Sequence, residues 1–163
     1  MVRGILLLAA SLLAALHAGF FYAWSFSVMN GLDVASAAAA IEAMQTMNAN
    51  VRNAAFGTVF FGAPAVAMLT TVILFLSRRG VSGFLTLLGL AGLVTSVAIT
   101  VTVHLPLNEA LDIQFIPADP IAATRIWTEY SASWTAWNHL RALTSLAGCL
   151  FLILAFRMDR RTG

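Results

Sequence analysis

The chain has 163 residues, of which 60% are hydrophobic and only 10% charged, and its mean hydropathy is +0.87. A soluble domain carries about 25% charged residues, so this chain lacks the polar surface for a water-facing globule, and a soluble enzyme, a disordered tail and a collagen-like fibre are excluded. The net charge is only +2, every cation is an arginine, and no basic stripe exists for a phosphate backbone to follow, so nucleic acid is excluded as a partner.

Four apolar stretches follow in chain order, at about 5–29, 54–76, 83–103 and 137–156. Each is close to the ~20 residues needed to cross a hydrocarbon core of ~30 Å. In lipid the backbone must satisfy its own hydrogen bonds, so each reads as a helix. The first stretch is too long for the apolar segment of a signal peptide, and no A-x-A site closes it, so it reads as a retained helix. In the connection 30–53, Asp33 suits the N-cap of a helix through the Ala-rich run 35–43. That helix is expected to continue through 44–53 into the second span, where Gly57, Gly62 and Pro64 offer places to bend. The turn 77–82 is short. The connection 104–136 holds Pro106, Pro117 and Pro120, which predict an irregular middle, with Ser131 or Ser133 capping the fourth helix. Trp127, Tyr130, Trp134 and Trp137 are expected at the membrane interface, where amphipathic rings prefer to sit. The expected fold is all-α: one integral membrane domain over 1–163, a four-transmembrane-helix bundle with two longer outer connections, the first of them helical.

Arginine placement orients the bundle. Arg3, Arg78, Arg79, Arg157, Arg160 and Arg161 lie on one side. Arg52, Arg125 and Arg141 lie on or near the other, together with Asp33, Glu42, Glu109, Asp112, Asp119 and Glu129. Both termini and the 77–82 turn are therefore expected in the cytoplasm, with the plasma (inner) membrane as the lipid partner.

Ionisable groups inside a membrane are costly and point to function. His17, His104 and His139 all fall in or at the edge of spans. Neutral imidazole is a common metal ligand, so the three are candidate ligands for copper or haem iron as well as candidate bases; the other readings are a site with no cofactor, and histidines that each hydrogen-bond a neighbouring helix or an interfacial water. No HxxxH or Cys/His spacing supports a metal. At 1.5 Å per residue, His17 lies roughly 18 Å below the outer end of its helix, whereas His139 lies roughly 3–8 Å below the surface and His104 at the boundary. His17 joins the others only if the first helix tilts or ends near Asn30–Gly31. In the fourth span, Trp134, Asn138, Arg141 and Ser145 fall on one helical face. Asn108 lies one turn beyond His104, and Gln45, Asn48 and Arg52 form a polar stripe before the second span.

Arg141 is a permanent charge in an apolar stretch, and a guanidinium there needs a carboxylate, carbonyls or a bound anion. Glu42, Glu109 and Glu129 are the candidate partners. Otherwise Arg141 snorkels outward, or grips an enolate, phenolate or carboxylate of a ligand. Arg52 carries the same readings. Met29, Met44 and Met47 lack a repeated Met-x-x-Met pattern and read as core packing. Cys149, the single cysteine, reads as a small buried hydrophobe. The aromatic run Phe20, Phe21, Tyr22, Trp24 and Phe26 suits either helix packing or a pocket for a flat molecule. Gly89 and Gly92 allow a close helix approach.

Four segments together carry a family resemblance: GFFYAWSFSVMNGL at 19–32, MQTMNANVRN at 44–53, HLPLNEAL at 104–111 and WTAWNHLRAL at 134–143. In order and over nearly the whole chain, they resemble the small four-helix membrane proteins grouped with the anthrone oxygenases. The resemblance implies oxidation of an anthrone to an anthraquinone with molecular oxygen, as fungal members do in polyketide biosynthesis. It carries site roles to Pro106 and Asn108, to Gln45 and Asn48, and to Trp134, Asn138 and Arg141.

An anthrone has an acidic C–H beside a carbonyl, so such a site needs a base and a donor for the developing oxyanion. His17, His104 or His139 is the candidate base, and Arg141 with Asn138 or Asn108 the candidate donor. The expected function is a small membrane oxidoreductase, a monooxygenase acting on a lipophilic aromatic or quinone-like molecule in an outward-facing pocket. A non-enzymatic accessory or binding protein, and a His-ligated metal- or haem-binding protein, are the alternatives. Four helices give a thin core, which leaves a homo-oligomer open.

Overall fold

The computed structural model describes residues 2–162; Met1 and Gly163 lie outside it. Among the described residues the fold is all helical. Four helices are long and apolar enough to cross a membrane: α1 (Val2–Asp33), α3 (Ala54–Leu76), α4 (Gly80–Asp112) and α5 (Pro120–Thr162). A shorter helix, α2 (Ala37–Asn50), joins the first two. The protein is therefore an integral membrane protein. In the bundle α5 packs along both α1 and α4, and α3 bridges those two on the other side.

Lipid gives no hydrophobic drive for helices to associate, so close contact depends on small residues. Ala10 and Ala14 of α1 and Ala63 and Ala67 of α3 are fully buried in one cluster. Between α4 and α5 the backbones nearly touch. A β-carbon on Gly92 would lie 2.5 Å from the Thr144 carbonyl oxygen, and one on Gly148 2.8 Å from that of Gly89. The expected close approach at Gly89 and Gly92 is thus present. Cys149 is buried there, as read from sequence.

At one end, Asp159 of α5 pairs with Arg3 of α1 at 3.5 Å and Arg79 of the α3–α4 turn at 3.8 Å. This terminal end holds the start of α1 and the end of α5. The 43 residues of α5 extend roughly 65 Å at 1.5 Å per residue, about twice a ~30 Å hydrocarbon core. The excess projects at the opposite end, where it builds a cap with α2 and the ends of α1 and α4. Met29, Ile41, Met44, Leu111, Trp127, Tyr130 and Trp134 form the cap core, with Met47 packed against it. The methionines are core, as expected. Trp127, Tyr130 and Trp134 fill the cap interior instead of ringing the interface; only Trp137 of that set stays exposed.

The connections differ from expectation in three places. First, α1 runs on through Asp33, so Asp33 does not cap α2; Ser36 holds that place, and Asp33 Oδ1 accepts a hydrogen bond from Trp127 Nε1 at 2.9 Å. Second, α2 stops at Asn50 and does not continue into α3. Asn53 takes an extended conformation and caps α3 by accepting from the Phe56 N–H at 3.1 Å. Third, the segment 104–136 is mostly helical, irregular only between Asp112 and Pro120. Asp119 accepts from the N–H groups of Ile121 and Ala122, both at 3.2 Å. Pro120 opens α5, where a missing N–H costs nothing. Ser131 and Ser133 lie inside that helix and cap nothing.

Pro106 does not end α4 either. Just before it, Thr100–His104 forms a π-helical turn, in which the Leu105 N–H reaches the Thr100 carbonyl five residues back. Proline lacks an N–H and crowds the preceding turn; the widened turn accommodates both. A matching π turn, Trp24–Val28, lies in α1. Such single wide turns within α-helices are frequent at functional sites.

Candidate functional site

The two wide turns face α5 at Asn138 and Arg141, one helical turn apart. Asn138 is fully buried, and its Nδ2 donates to the Phe21 carbonyl at 2.9 Å and to Ser25 Oγ at 2.7 Å. Its Oδ1 accepts from Arg141 Nε at 3.1 Å and Nη2 at 2.7 Å. Arg141 Nη1 donates to Thr100 Oγ1 at 3.1 Å. Thr100 in turn donates to the Ser96 carbonyl at 2.9 Å, and Ser96 Oγ meets His17 Nε2 at 3.2 Å. One polar chain therefore links α1, α4 and α5 through the bundle.

Arg141 is only 4% exposed. Burying an ion costs several kcal/mol unless a partner compensates. Here the compensation is neutral: an amide oxygen, a hydroxyl, the Phe21 ring 4.3 Å from Cζ and the Trp134 ring at 5.2 Å. Among the described residues no carboxylate lies within ion-pair distance of Arg141. The expected pairing with Glu42, Glu109 or Glu129 is not formed, because all three are exposed on the cap. Arg141 does not snorkel outward either; Asn138 and Thr100 hold it in the bundle.

His104 is 1% exposed. Its Nε2 lies 3.2 Å from the Trp134 carbonyl oxygen and can only donate to it. That bond selects the neutral tautomer with a lone pair on Nδ1, which is buried, with the Ile99 backbone beside the ring. The Trp134 ring packs edge-on against the imidazole at 5.0 Å. Asn108 Oδ1 accepts from Tyr130 Oη at 2.9 Å and from Trp134 Nε1 at 3.0 Å. An internal cavity of about 90 Å³ is lined by His104, Asn108, Trp134, Arg141, Thr100 and Asn48, with Phe20, Phe21 and Phe56 among its apolar walls and Arg52 at its edge. A fixed cation, an imidazole and apolar walls thus line one small space.

Other residues expected here are kept apart. His139 is exposed on the bundle exterior, stacked on Phe26 at 5.2 Å, because it follows the inward-facing Asn138 by one residue. His17 pairs with Ser96, eight residues before His104, and so lies roughly 12 Å deeper by helical rise. The first helix does not end early, and the three histidines do not converge. Among the described residues no group of three His, Cys, Asp or Glu side chains is placed to hold a metal. Gln45 lies on the cap, where its Nε2 donates to the carbonyls of Leu111 at 2.8 Å and Gln114 at 3.0 Å. It closes the C-terminus of α4, whose last carbonyls lack helical partners. Asn48 donates to Asp112 Oδ1 at 3.0 Å while also lining the cavity. Arg52 is exposed.

Ser25, Ser96, Thr100 and the Phe21 carbonyl were not singled out by sequence. The spacing of Ser96, Thr100 and His104 at i, i+4 and i+8 is a legible signal for three of the members, since it puts them on one helical face.

The sequence profile of the anthrone oxygenase family matches residues 53–151. That stretch covers α3, α4 and most of α5, and with them His104, Asn108, Trp134, Asn138 and Arg141; His17, Gln45, Asn48 and Arg52 precede it. No match is found among curated proteins or solved structures. The family match spans more than half of the chain and includes the cation, the imidazole and the amides of the buried site, so the chain belongs to the anthrone oxygenase family.

Proposed function

We propose that the protein oxidises a lipophilic aromatic molecule of the anthrone or quinone-precursor type with molecular oxygen, inside the cap-end half of the bundle. The observation that carries this reading is the buried Arg141 guanidinium, which has no carboxylate partner among the described residues and shares a cavity with the His104 imidazole. A fixed cation in an apolar site favours an anion wherever charge develops. In an anthrone that place is the ring oxygen.

The chemistry balances with oxygen as the only co-reactant. His104 Nδ1 takes a proton from the ring methylene, and the electron pair moves onto the carbonyl oxygen as an enolate. Arg141 holds that oxygen through the N–H groups it does not use for Asn138 and Thr100. The electron-rich carbon passes electrons to O2 and forms a C–O bond. The proton returns to the distal oxygen, giving a hydroperoxide. Loss of the second C–H proton and cleavage of the O–O bond release water and leave a carbonyl. Anthrone and O2 become anthraquinone and water. His17 and His139 have no part in these steps. Asn138 positions Arg141, and Asn108 positions Tyr130 and Trp134.

The arginine distribution supports cytoplasmic termini and a cap outside the cytoplasm, in a plasma membrane. The test of function is oxygen uptake by purified protein given anthrone, measured above the spontaneous background. Uptake of one O2 per anthraquinone formed is expected, and it should fall to background in Arg141→Met and His104→Gln. Wild-type protein that adds nothing to the background rate overturns the reading.

A further inference from the structure

The inner cavity cannot hold a fused-ring molecule. Its volume of about 90 Å³ accommodates roughly three waters at ~30 Å³ each, whereas ligand pockets run from about 300 Å³ upward. A second space of about 330 Å³ lies next to it, between α1 and α3. Leu16, Phe20, Val59 and Phe60 form its sides, with His17 on one wall and Asn53 at the cap end. Leu16 is 61% exposed in the middle of a membrane-crossing helix, so this cleft opens to acyl chains. The two spaces share Phe20, Phe21, Val51 and Phe56 as a common wall.

The cleft is walled by flat rings. Phe56 and Phe60 stack at 5.1 Å with planes 19° apart, and Phe60 and His17 stack at 5.6 Å and 17°. Parallel faces accept another planar ring as a further layer. Phe20 and Phe56 meet at 5.2 Å between ring centroids, closing the way inward. Phe21, in the same wall, carries Arg141 against its ring.

We propose that this cleft is a lateral substrate site: a flat fused-ring phenol or ketone enters it from the bilayer, and Phe20 and Phe56 part to pass its oxygen-bearing edge to Arg141. This rests on the inner cavity being the reaction site. The rings stay in the cleft, where space exists, and only the reacting edge enters the inner cavity. Phe20 and Phe56 are only half-buried, so a change of their rotamers opens the gate without moving a helix.

The test uses the whole protein in phosphatidylcholine vesicles, with 2-hydroxyanthraquinone as the probe and quenching of tryptophan emission as the readout. Saturable quenching is expected for wild type. Ala55→Phe and Val59→Phe fill the cleft and should weaken apparent affinity at least tenfold. Leu143→Phe, which places the same ring on the lipid face of α5, should stay within twofold. Phe56→Ala opens the gate and should speed quenching several-fold, a gain that misfolding does not produce. If the cleft variants and Phe56→Ala match wild type while Arg141→Met weakens binding, the lateral site is wrong and the inner site stands. If wild type shows no saturable quenching, both fall.

Discussion

Asn138 Oδ1 accepts two hydrogen bonds from the guanidinium of Arg141, at 3.1 and 2.7 Å, from one turn away on the same helix. The amide therefore fixes the cation in place of an acid. An acid there would neutralise the charge; an amide leaves it available to an anion. The same amide group donates to the carbonyl of Phe21 in α1, so it ties the cation to a second helix.

Removing the amide should cost more than removing the cation. Asn138→Leu leaves Arg141 buried and short of two bonds, and stripping one partner from a buried charge costs about 3–5 kcal/mol. Arg141→Met leaves only a neutral amide oxygen unmet, about 1–3 kcal/mol. Thermal melting in detergent should rank the variants in that order. The double variant should melt above the Asn138→Leu protein, and a lower melting point would contradict the neutral-cradle account.

Activity should separate the histidines. A positioned base contributes about 10²–10⁴-fold to rate, so His104→Gln should lower oxygen uptake at least 100-fold. Gln keeps a donor for the Trp134 carbonyl, and the melting point should change little. His139→Gln should keep uptake within twofold, since that ring lies outside the bundle against Phe26. A large loss at His139 would place the chemistry elsewhere.

The α4–α5 contact should be intolerant of a single methyl. Gly92→Ala sets a β-carbon against the Thr144 carbonyl, and overpacking of this kind costs about 1–3 kcal/mol. At Gly57 nothing lies within 4 Å; Gly57→Ala should be neutral or stabilising by up to about 1 kcal/mol, because glycine weakens a helix interior. Melting points of the two variants, compared side by side, check the contrast.

The cap should depend on Gln45 closing α4. Gln45→Ala frees the carbonyl of Gln114 and leaves that of Leu111 only its backbone donor, the Gln114 N–H at 3.0 Å. Amide exchange over 112–116 should quicken, while that of the membrane-embedded helices stays slow. Equal exchange in the variant and wild type would show that the cap end of α4 is held by packing alone.

Topology is checked by labelling in a Cys149→Ala background. Phe115→Cys sits at the cap tip, 87% exposed, and should react with an impermeant maleimide on intact cells. Arg78→Cys, in the turn at the terminal end, should react only after lysis. The reverse pattern would invert the assigned orientation.

The composition and apolar runs of the chain alone determined that it lives in a bilayer, with four crossing helices placed closely at 54–76 and within longer helices elsewhere. The reason is that lipid demands ~20 apolar residues and internal hydrogen bonds of any span. Sequence also picked out Arg141, Asn138, His104 and Asn108, because polar groups are rare in such a context. It misread the extents of the helices outside the membrane. Pro106 and Pro120 signal breaks locally, yet one sits after a widened turn and the other opens a helix. Only the tertiary structure decided which polar groups meet. Gln45 went to the cap, His139 to the lipid face and His17 to a deeper level. Arg141 found an amide where a carboxylate was expected. Those outcomes turn on helix phase and on two π turns that re-aim the faces of α1 and α4, and neither can be read from residue types taken in order.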